Sequence, residues 1–177
     1  MTRSLHIEPC LLKTEEKGPH EKENRHVSRT DPFYEFMNVR VKRFFHANGK
    51  LRCEIPELNG RAHGIVREYH PNGQVALETP NEGGLANGTV RTWNPDGHLV
   101  GEYTLEHGNG TAKMWHPNGA IWAEIPVLKG LPTGRQRSWY EDGKPLPDSF
   151  WIRGKQVTKK KYLEACKSDP ELPRYGL

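Results

Sequence analysis

Through the middle of the chain, aromatic and apolar positions recur in step with a turn dipeptide rather than at helical spacing. The dipeptides are Asn48-Gly49, Asn72-Gly73, Asp96-Gly97, Asn118-Gly119 and Asp142-Gly143, with steps of 24, 24, 22 and 24 residues between the glycines. Four residues before each glycine stands an aromatic side chain: Phe45, Tyr69, Trp93, Trp115 and Trp139. Two residues after it stands Leu51, Val75, Leu99 or Ile121, and Pro145 in the last unit. A basic residue lies six before (Arg43, Arg67, Arg91, Lys113, Arg137) and an acidic one five after (Glu54, Glu78, Glu102, Glu124, Asp148). A second glycine falls nine before each later turn, at Gly64, Gly88, Gly110 and Gly134. Agreement at so many offsets predicts an internal repeat whose unit is strand, tight turn, strand.

Asn-Gly and Asp-Gly favour hairpin turns because they tolerate positive φ. A two-residue loop would need an N–H from the residue before Asn or Asp. That residue is Pro71, Pro95 or Pro117 in three units, and proline has none. A three-residue loop with a glycine bulge fits better and sets Tyr69 opposite Val75, Trp93 opposite Leu99 and Trp115 opposite Ile121. In that register the basic and acidic ladders fall on opposite faces of each hairpin unless the sheet twist brings them together, whereas a two-residue turn would place Arg67 opposite Glu78 and Arg43 opposite Glu54. A single hairpin is barely stable, but stacked hairpins share a continuous stripe, in which Trp93, Trp115 and Trp139 are expected as core. The segments linking the hairpins are rich in Gly and Pro, and the third is two residues shorter. The fold class expected is all-β: an elongated single-sheet ladder of about five hairpin repeats, residues 38–148, with a short C-terminal helix.

Composition agrees with short strands and turns: 34% of residues are hydrophobic, with 18 Gly and 14 Pro. No apolar run is long enough for a membrane helix or a signal peptide, so a soluble cytoplasmic protein is expected. Cys10, Cys53 and Cys166 are widely spaced and suit reduced thiols better than disulfides or zinc. The net charge is +4. It sits in residues 149–177, which carry 7 Lys and Arg against 3 Asp and Glu. The near-neutral centre argues against nucleic-acid binding.

The stretches Gly-Ile-Val-Arg-Glu-Tyr-His-Pro-Asn-Gly at 64–73 and Gly-Thr-Ala-Lys-Met-Trp-His-Pro-Asn-Gly at 110–119 resemble the MORN repeat in its bacterial variant form. The whole arrangement is similar to the YwqK-type antitoxins of toxin-antitoxin systems. That resemblance implies a module that neutralises a toxin by binding it. MORN repeats elsewhere act as scaffolds, and some are linked to acidic phospholipids.

Residues 1–37 are largely polar and read as a disordered tail. Its end, Pro-Phe-Tyr-Glu-Phe-Met at 32–37, is apolar and reads as a cap on the first hairpin or as a docking peptide. Residues 149–177 read as a strand and a helix cap. Thr158 is the expected N-cap, with Tyr162, Leu163 and Cys166 on one packing face. Lys159, Lys160 and Lys161 at the helix start oppose the helix dipole. They read as a solvated turn or as a contact for an acidic partner or membrane surface.

His46, His70 and His116 share one repeat position, but equivalent residues lie two strands apart, about 10 Å, too far to share a metal. Neither a metal site nor a cofactor is expected. No nucleophile elbow, phosphate loop or HExxH motif appears, so an enzyme is not expected. The reading is a non-catalytic protein-binding repeat, an antitoxin or immunity protein. The alternative is a peripheral scaffold for acidic lipid through the basic C-terminus.

Overall fold

The computed structural model describes residues 39–175. The apolar segment 32–37 lies outside the described residues. Among those described, the strands are β1 Val39–Phe45, β2 Leu51–Leu58, β3 Arg61–Ala62, β4 Gly64–Tyr69, β5 Val75–Glu82, β6 Leu85–Ala86 and β7 Gly88–Trp93. They continue as β8 Leu99–Glu106, β9 Asn109–Trp115, β10 Ile121–Leu128, β11 Leu131–Pro132, β12 Gly134–Ser138, β13 Ser149–Ile152 and β14 Lys155–Val157. Among the described residues one helix, α1 Lys159–Ser168, follows the strands. The strands form one open antiparallel meander, β1-β2-β4-β5-β7-β8-β9-β10-β12-β13-β14, with β3, β6 and β11 as short returns.

Each Asn-Gly or Asp-Gly turn is the expected three-residue loop. In the second hairpin the Gly73 N–H donates to the His70 carbonyl at 2.8 Å, and the His70 N–H donates to the Gln74 carbonyl at 2.8 Å. Gly73 sits at φ 95°, open to glycine at no steric cost. Tyr69 faces Val75, Trp93 faces Leu99 and Trp115 faces Ile121, as the loop requires.

One step further from the turn, the ladder holds a second irregularity. An extra residue bulges from each return strand: Arg52, Ala76, Val100 and Trp122. Beyond it Arg67 stands opposite Glu78, and Arg43 opposite Glu54. The expectation that basic and acidic ladders fall on opposite faces is therefore corrected. A bulge shifts side-chain alternation by one residue, and that brings the charges onto the same face as the aromatic pairs.

The links between hairpins are hairpins too. Each turns through two residues of positive φ: Asn59-Gly60, Gly83-Gly84, His107-Gly108, Lys129-Gly130 and Arg153-Gly154. These tight turns stack in a column. Gly84 N–H donates to Ala62 O, Gly108 to Ala86, Gly130 to Gly108 and Gly154 to Pro132, at 2.7–2.9 Å. The fifth hairpin keeps the same register through Asp148, with Trp139 opposite Pro145 and Gly134 opposite Trp151. The repeat thus runs on to Arg153-Gly154.

A second column joins the other ends of the hairpins. His46, His70 and His116 donate from Nε2 to the carbonyls of Tyr69, Trp93 and Trp139 in the next unit, at 2.8, 2.9 and 2.8 Å. Asn48 and Asn72 donate from Nδ2 to the carbonyls of Pro71 and Pro95 at 2.9 and 2.7 Å. The recurring histidine is therefore a stitch between units. Replacing His70 by Ala is expected to cost about 0.5–1.5 kcal/mol, the usual worth of such a bond, read as a lower urea midpoint at unchanged slope.

The C-terminal end is closed by α1. Thr158 caps it, its Oγ1 accepting from the Lys161 N–H at 3.2 Å. Tyr162, Phe150 and Leu172 form a buried cluster, with Cys166 and Tyr175 packed beside it. Leu163 instead points outward, 38% exposed, so the packing face is narrower than the sequence suggested.

Candidate functional site

The two faces of the sheet differ in chemistry. The first, here called outer, carries the aromatic and aliphatic pairs beside the Asn-Gly turns. Next to them runs a row of ion pairs: Arg43–Glu54 at 2.7 Å, Arg67–Glu78 at 2.8 Å, Arg91–Glu102 at 3.1 Å and Arg137–Glu124 at 2.6 Å. These groups are partly exposed, so each pair adds little stability, about 0–1 kcal/mol. Their effect is to fix orientation and hold the row near neutrality. Tyr69 donates from its hydroxyl to Glu54 Oε2 at 3.1 Å. Burial first, and then the Glu54 carboxylate, push the Tyr69 phenol above its ordinary range. Its hydroxyl therefore stays protonated and remains a donor.

The sequence put the tryptophans in the core. Tyr69, Trp93, Trp115 and Trp139 are instead only half-buried, and Phe45 is 48% exposed. A sheet one layer thick has no second layer to cover this stripe. Leu99, at 52%, and Ile121, at 36%, leave more apolar surface beside it. A shallow open cleft lies there between units, lined by Gln74, Val75, Glu78, Trp93 and Gly97. Trp115 is the exception in this stripe: its ring lies against Gly101 and 6.2 Å from the ring of Tyr103, which stands opposite the buried Val90.

The buried side chains lie on the opposite, inner face. Cys53, Val66, Val90, Leu105 and Ala123 are all 6% exposed or less. In the register, Cys53 faces Phe44, Val66 faces Thr79, and Val90 faces Tyr103. Glu57, Glu68 and Asn81 are buried on the same face. Burial, and then the charge of Glu68, push the Tyr103 phenol up to about 12. Sequence reasoning missed this face. Its signal was present in the small and β-branched residues at alternate positions of β2, β4 and β7.

The turn glycines Gly49, Gly73, Gly97, Gly119 and Gly143 all adopt positive φ, from 78° to 95°. Lys159, Lys160 and Lys161 stand exposed on the first turn of α1. Beside them the cap is tied to the sheet by charge: Arg153 meets Asp169 at 2.7 Å and Glu171 at 3.2 Å, and Lys129 meets Glu171 at 2.7 Å. The hydrogen bond from Arg153 holds the Asp169 carboxyl below its usual range, and Lys129, then Arg153, does the same for Glu171. Lowered carboxylate values favour the folded state above the ordinary range near pH 4, and that contribution is lost as pH falls through the lowered values. A chain carrying Asp169→Asn and Glu171→Gln is expected to show a shallower fall of Tm between pH 5 and about 3 than the unaltered chain. Parallel curves would refute this linkage.

Among the described residues no three His, Cys, Asp or Glu side chains come together as a metal group. Within the same residues no helix is long and apolar enough to cross a membrane. A family model described as the MORN repeat variant matches residues 62–80 and 108–128. The first match runs from β3 through the second hairpin, and the second covers β9 and β10. These two stretches are similar to a repeat that builds non-catalytic modules. No curated protein and no solved structure matches the chain.

Proposed function

We propose that this chain is a non-catalytic protein-binding module that engages its partner through the outer face beside the Asn-Gly turns. The observation that carries this reading is the half-exposed stripe of Phe45, Tyr69, Trp93, Leu99 and Ile121. Exposed apolar surface rimmed by polar groups is a common mark of an interaction site. Aromatic side chains on a rigid sheet also lose little freedom on binding. Equivalent positions recur about every 10 Å, two strand spacings, so a partner meets the same pair of side chains several times. The finer form of this reading is an antitoxin or immunity protein that acts in the cytoplasm by covering a toxin.

The test is capture from the native cell by the tagged chain, compared with a chain carrying Phe45→Glu and Leu99→Glu. One stoichiometric protein partner, retained at moderate salt and reduced at least tenfold by the two substitutions, is the expected result. Equal recovery by both chains would overturn the outer face as the site. Co-expression with the captured protein then separates an antitoxin, which restores growth, from an adaptor, which does not.

A second reading rests on Lys159, Lys160 and Lys161. All three are exposed. They take part in none of the ion pairs formed among the described residues. Such a cluster suits an acidic lipid surface. It predicts salt-sensitive binding to phosphatidylserine vesicles that is lost when the three lysines become Glu.

A further inference from the structure

The two ends of the sheet are built differently. At the C-terminal end the return strand of the fifth hairpin carries Pro145 and Pro147, which lack an N–H. There β14 is three residues long, and α1 packs on β13. Prolines, short strands and a covering helix all keep a sheet edge from pairing. At the other end β1 runs for seven residues without a proline, and β2 is its one strand neighbour among the described residues. The direction of its backbone groups follows from Pro56. The Pro56 carbonyl accepts from the His63 N–H at 2.9 Å, so Pro56 faces away from β1, and Val41 opposite it belongs to a pair without hydrogen bonds. Val41 therefore turns its N–H and C=O to the open edge, as do Val39 and Arg43 by alternation. Phe45 continues the series. Its carbonyl holds the place at which Tyr69, Trp93 and Trp139 accept a histidine from the unit before, and the repeat pattern begins at this unit.

We propose that β1 is a docking edge for an acidic extended segment of a partner protein, which joins the sheet as an antiparallel strand. Charge selects the occupant. On the outer face one row alternates in sign from strand to strand: Arg43, Glu54, Arg67, Glu78, Arg91, Glu102. Arg67 and Arg91 each stand between two carboxylates. Arg43 pairs with Glu54 at 2.7 Å on one side and has the open edge on the other. Arg40 lies exposed opposite Glu57, but Glu57 pairs with Lys42 at 2.9 Å, and Arg40 forms no ion pair with the described residues. The matching spacing is already present in β2, where Glu54 and Glu57 stand three apart, opposite Arg43 and Arg40. An incoming strand with two acidic residues at that spacing sets one carboxylate beside Arg43 on the outer face and one beside Arg40 on the inner face. A second copy of this chain does not fit. β1 holds three basic residues and no acidic one, and pairing it with another β1 sets Lys42 against Lys42. Like charges directly opposite are destabilising. The edge strand β14, with Lys155, is basic as well as short. Main-chain bonds along β1 supply the affinity, and the carboxylates set the register. The edge is separate from the apolar stripe, so its failure leaves the outer-face reading untouched.

Amide hydrogen exchange of the full-length chain tests it. The probe is the peptide Thr-Val-Glu-Val-Thr-Glu-Val-Thr at millimolar concentration, with a control in which both Glu are Lys. In the chain alone the Val41 and Arg43 amides are expected to exchange faster than that of Lys42, which faces β2. The acidic peptide is expected to slow Val41 and Arg43 at least tenfold, and the control to leave them unchanged. Arg40→Glu alone, at a side chain with no ion pair to lose, is expected to weaken the acidic peptide at least threefold. Arg40→Glu with Arg43→Glu is expected to reverse the preference between the two peptides. Amides slowed by neither peptide, or by both equally, would overturn the proposal. So would Val41 and Arg43 amides that are already slow in the chain alone. Slowing that disappears on dilution would assign the edge to a second copy, and slowing that persists would assign it to the chain itself.

Discussion

Replacing Tyr162 by alanine is expected to cost about 3–5 kcal/mol, the range for deleting a large aromatic from a closed cluster. Tyr162 is 0% exposed. Its ring lies 5.3 Å from Phe150 and 6.3 Å from Tyr175. Its hydroxyl donates to the Pro173 carbonyl at 2.7 Å. Burial pushes the phenol well above its ordinary range, which keeps it a donor near neutral pH. Losing this ring unseats α1 from β13 and exposes the apolar side chains of Phe150, Ile152 and Val157 beneath it, a patch that favours association. Equilibrium denaturation and the near-ultraviolet tyrosine signal check the loss, and light scattering checks the association. Tyr162→Phe keeps the ring and is expected to cost only about 0.5–1.5 kcal/mol. A cost below about 1 kcal/mol for the alanine variant would mean the cap is not held by this cluster.

The second large effect comes from a matched pair of glycines. Gly60 and Gly108 occupy the same slot in the first and third link turns, both at φ 76°. A Cβ on Gly60 meets nothing within 4 Å, whereas one on Gly108 would come within 2.7 Å of the Gly130 backbone nitrogen. That nitrogen is the donor to Gly108 O in the turn column, at 2.9 Å. Gly60→Ala is therefore expected to cost only the left-handed penalty, about 1–2 kcal/mol. Gly108→Ala adds an overpacking cost of roughly 1–3 kcal/mol, because backbone rather than a side-chain tip must move. Urea midpoints of the two variants decide it. Equal values would show that the column yields freely.

Much of this fold was legible before any coordinates. The turn signals, the proline before Asn and the aromatic four before Gly fixed the pairing of Tyr69 with Val75. Thr158 announced the start of α1. What stayed hidden has specific causes. The bulge residues Arg52, Ala76, Val100 and Trp122 share no chemistry, so nothing in the sequence reveals the slip that lets Arg67 meet Glu78 while Tyr69 still faces Val75. The link turns were obscured because their first position holds Asn, Gly, His, Lys or Arg, at φ from 46° to 61°. The histidine position was visible as a recurrence, but not as a bond to the Trp93 carbonyl one unit away. The apolar stripe was legible and its burial was not. Hydrophobic periodicity indicates which face is apolar, and only the number of layers decides whether that face is covered.

The two columns of turns give the architecture an open length. Neighbouring units are joined by one repeated bond at the link rim, and at the other rim by the histidine stitch wherever a unit carries His46, His70 or His116. Joining Asn72 directly to Gly97 would remove 24 residues and leave a loop of the same kind, with Tyr69 facing Leu99 in place of Val75. On the link side the bond would close over the excision, the Gly108 N–H finding Ala62 O, the carbonyl that Gly84 uses. Such a molecule can lengthen or shorten by whole links during descent without inventing a new core, while the helix keeps its far end sealed.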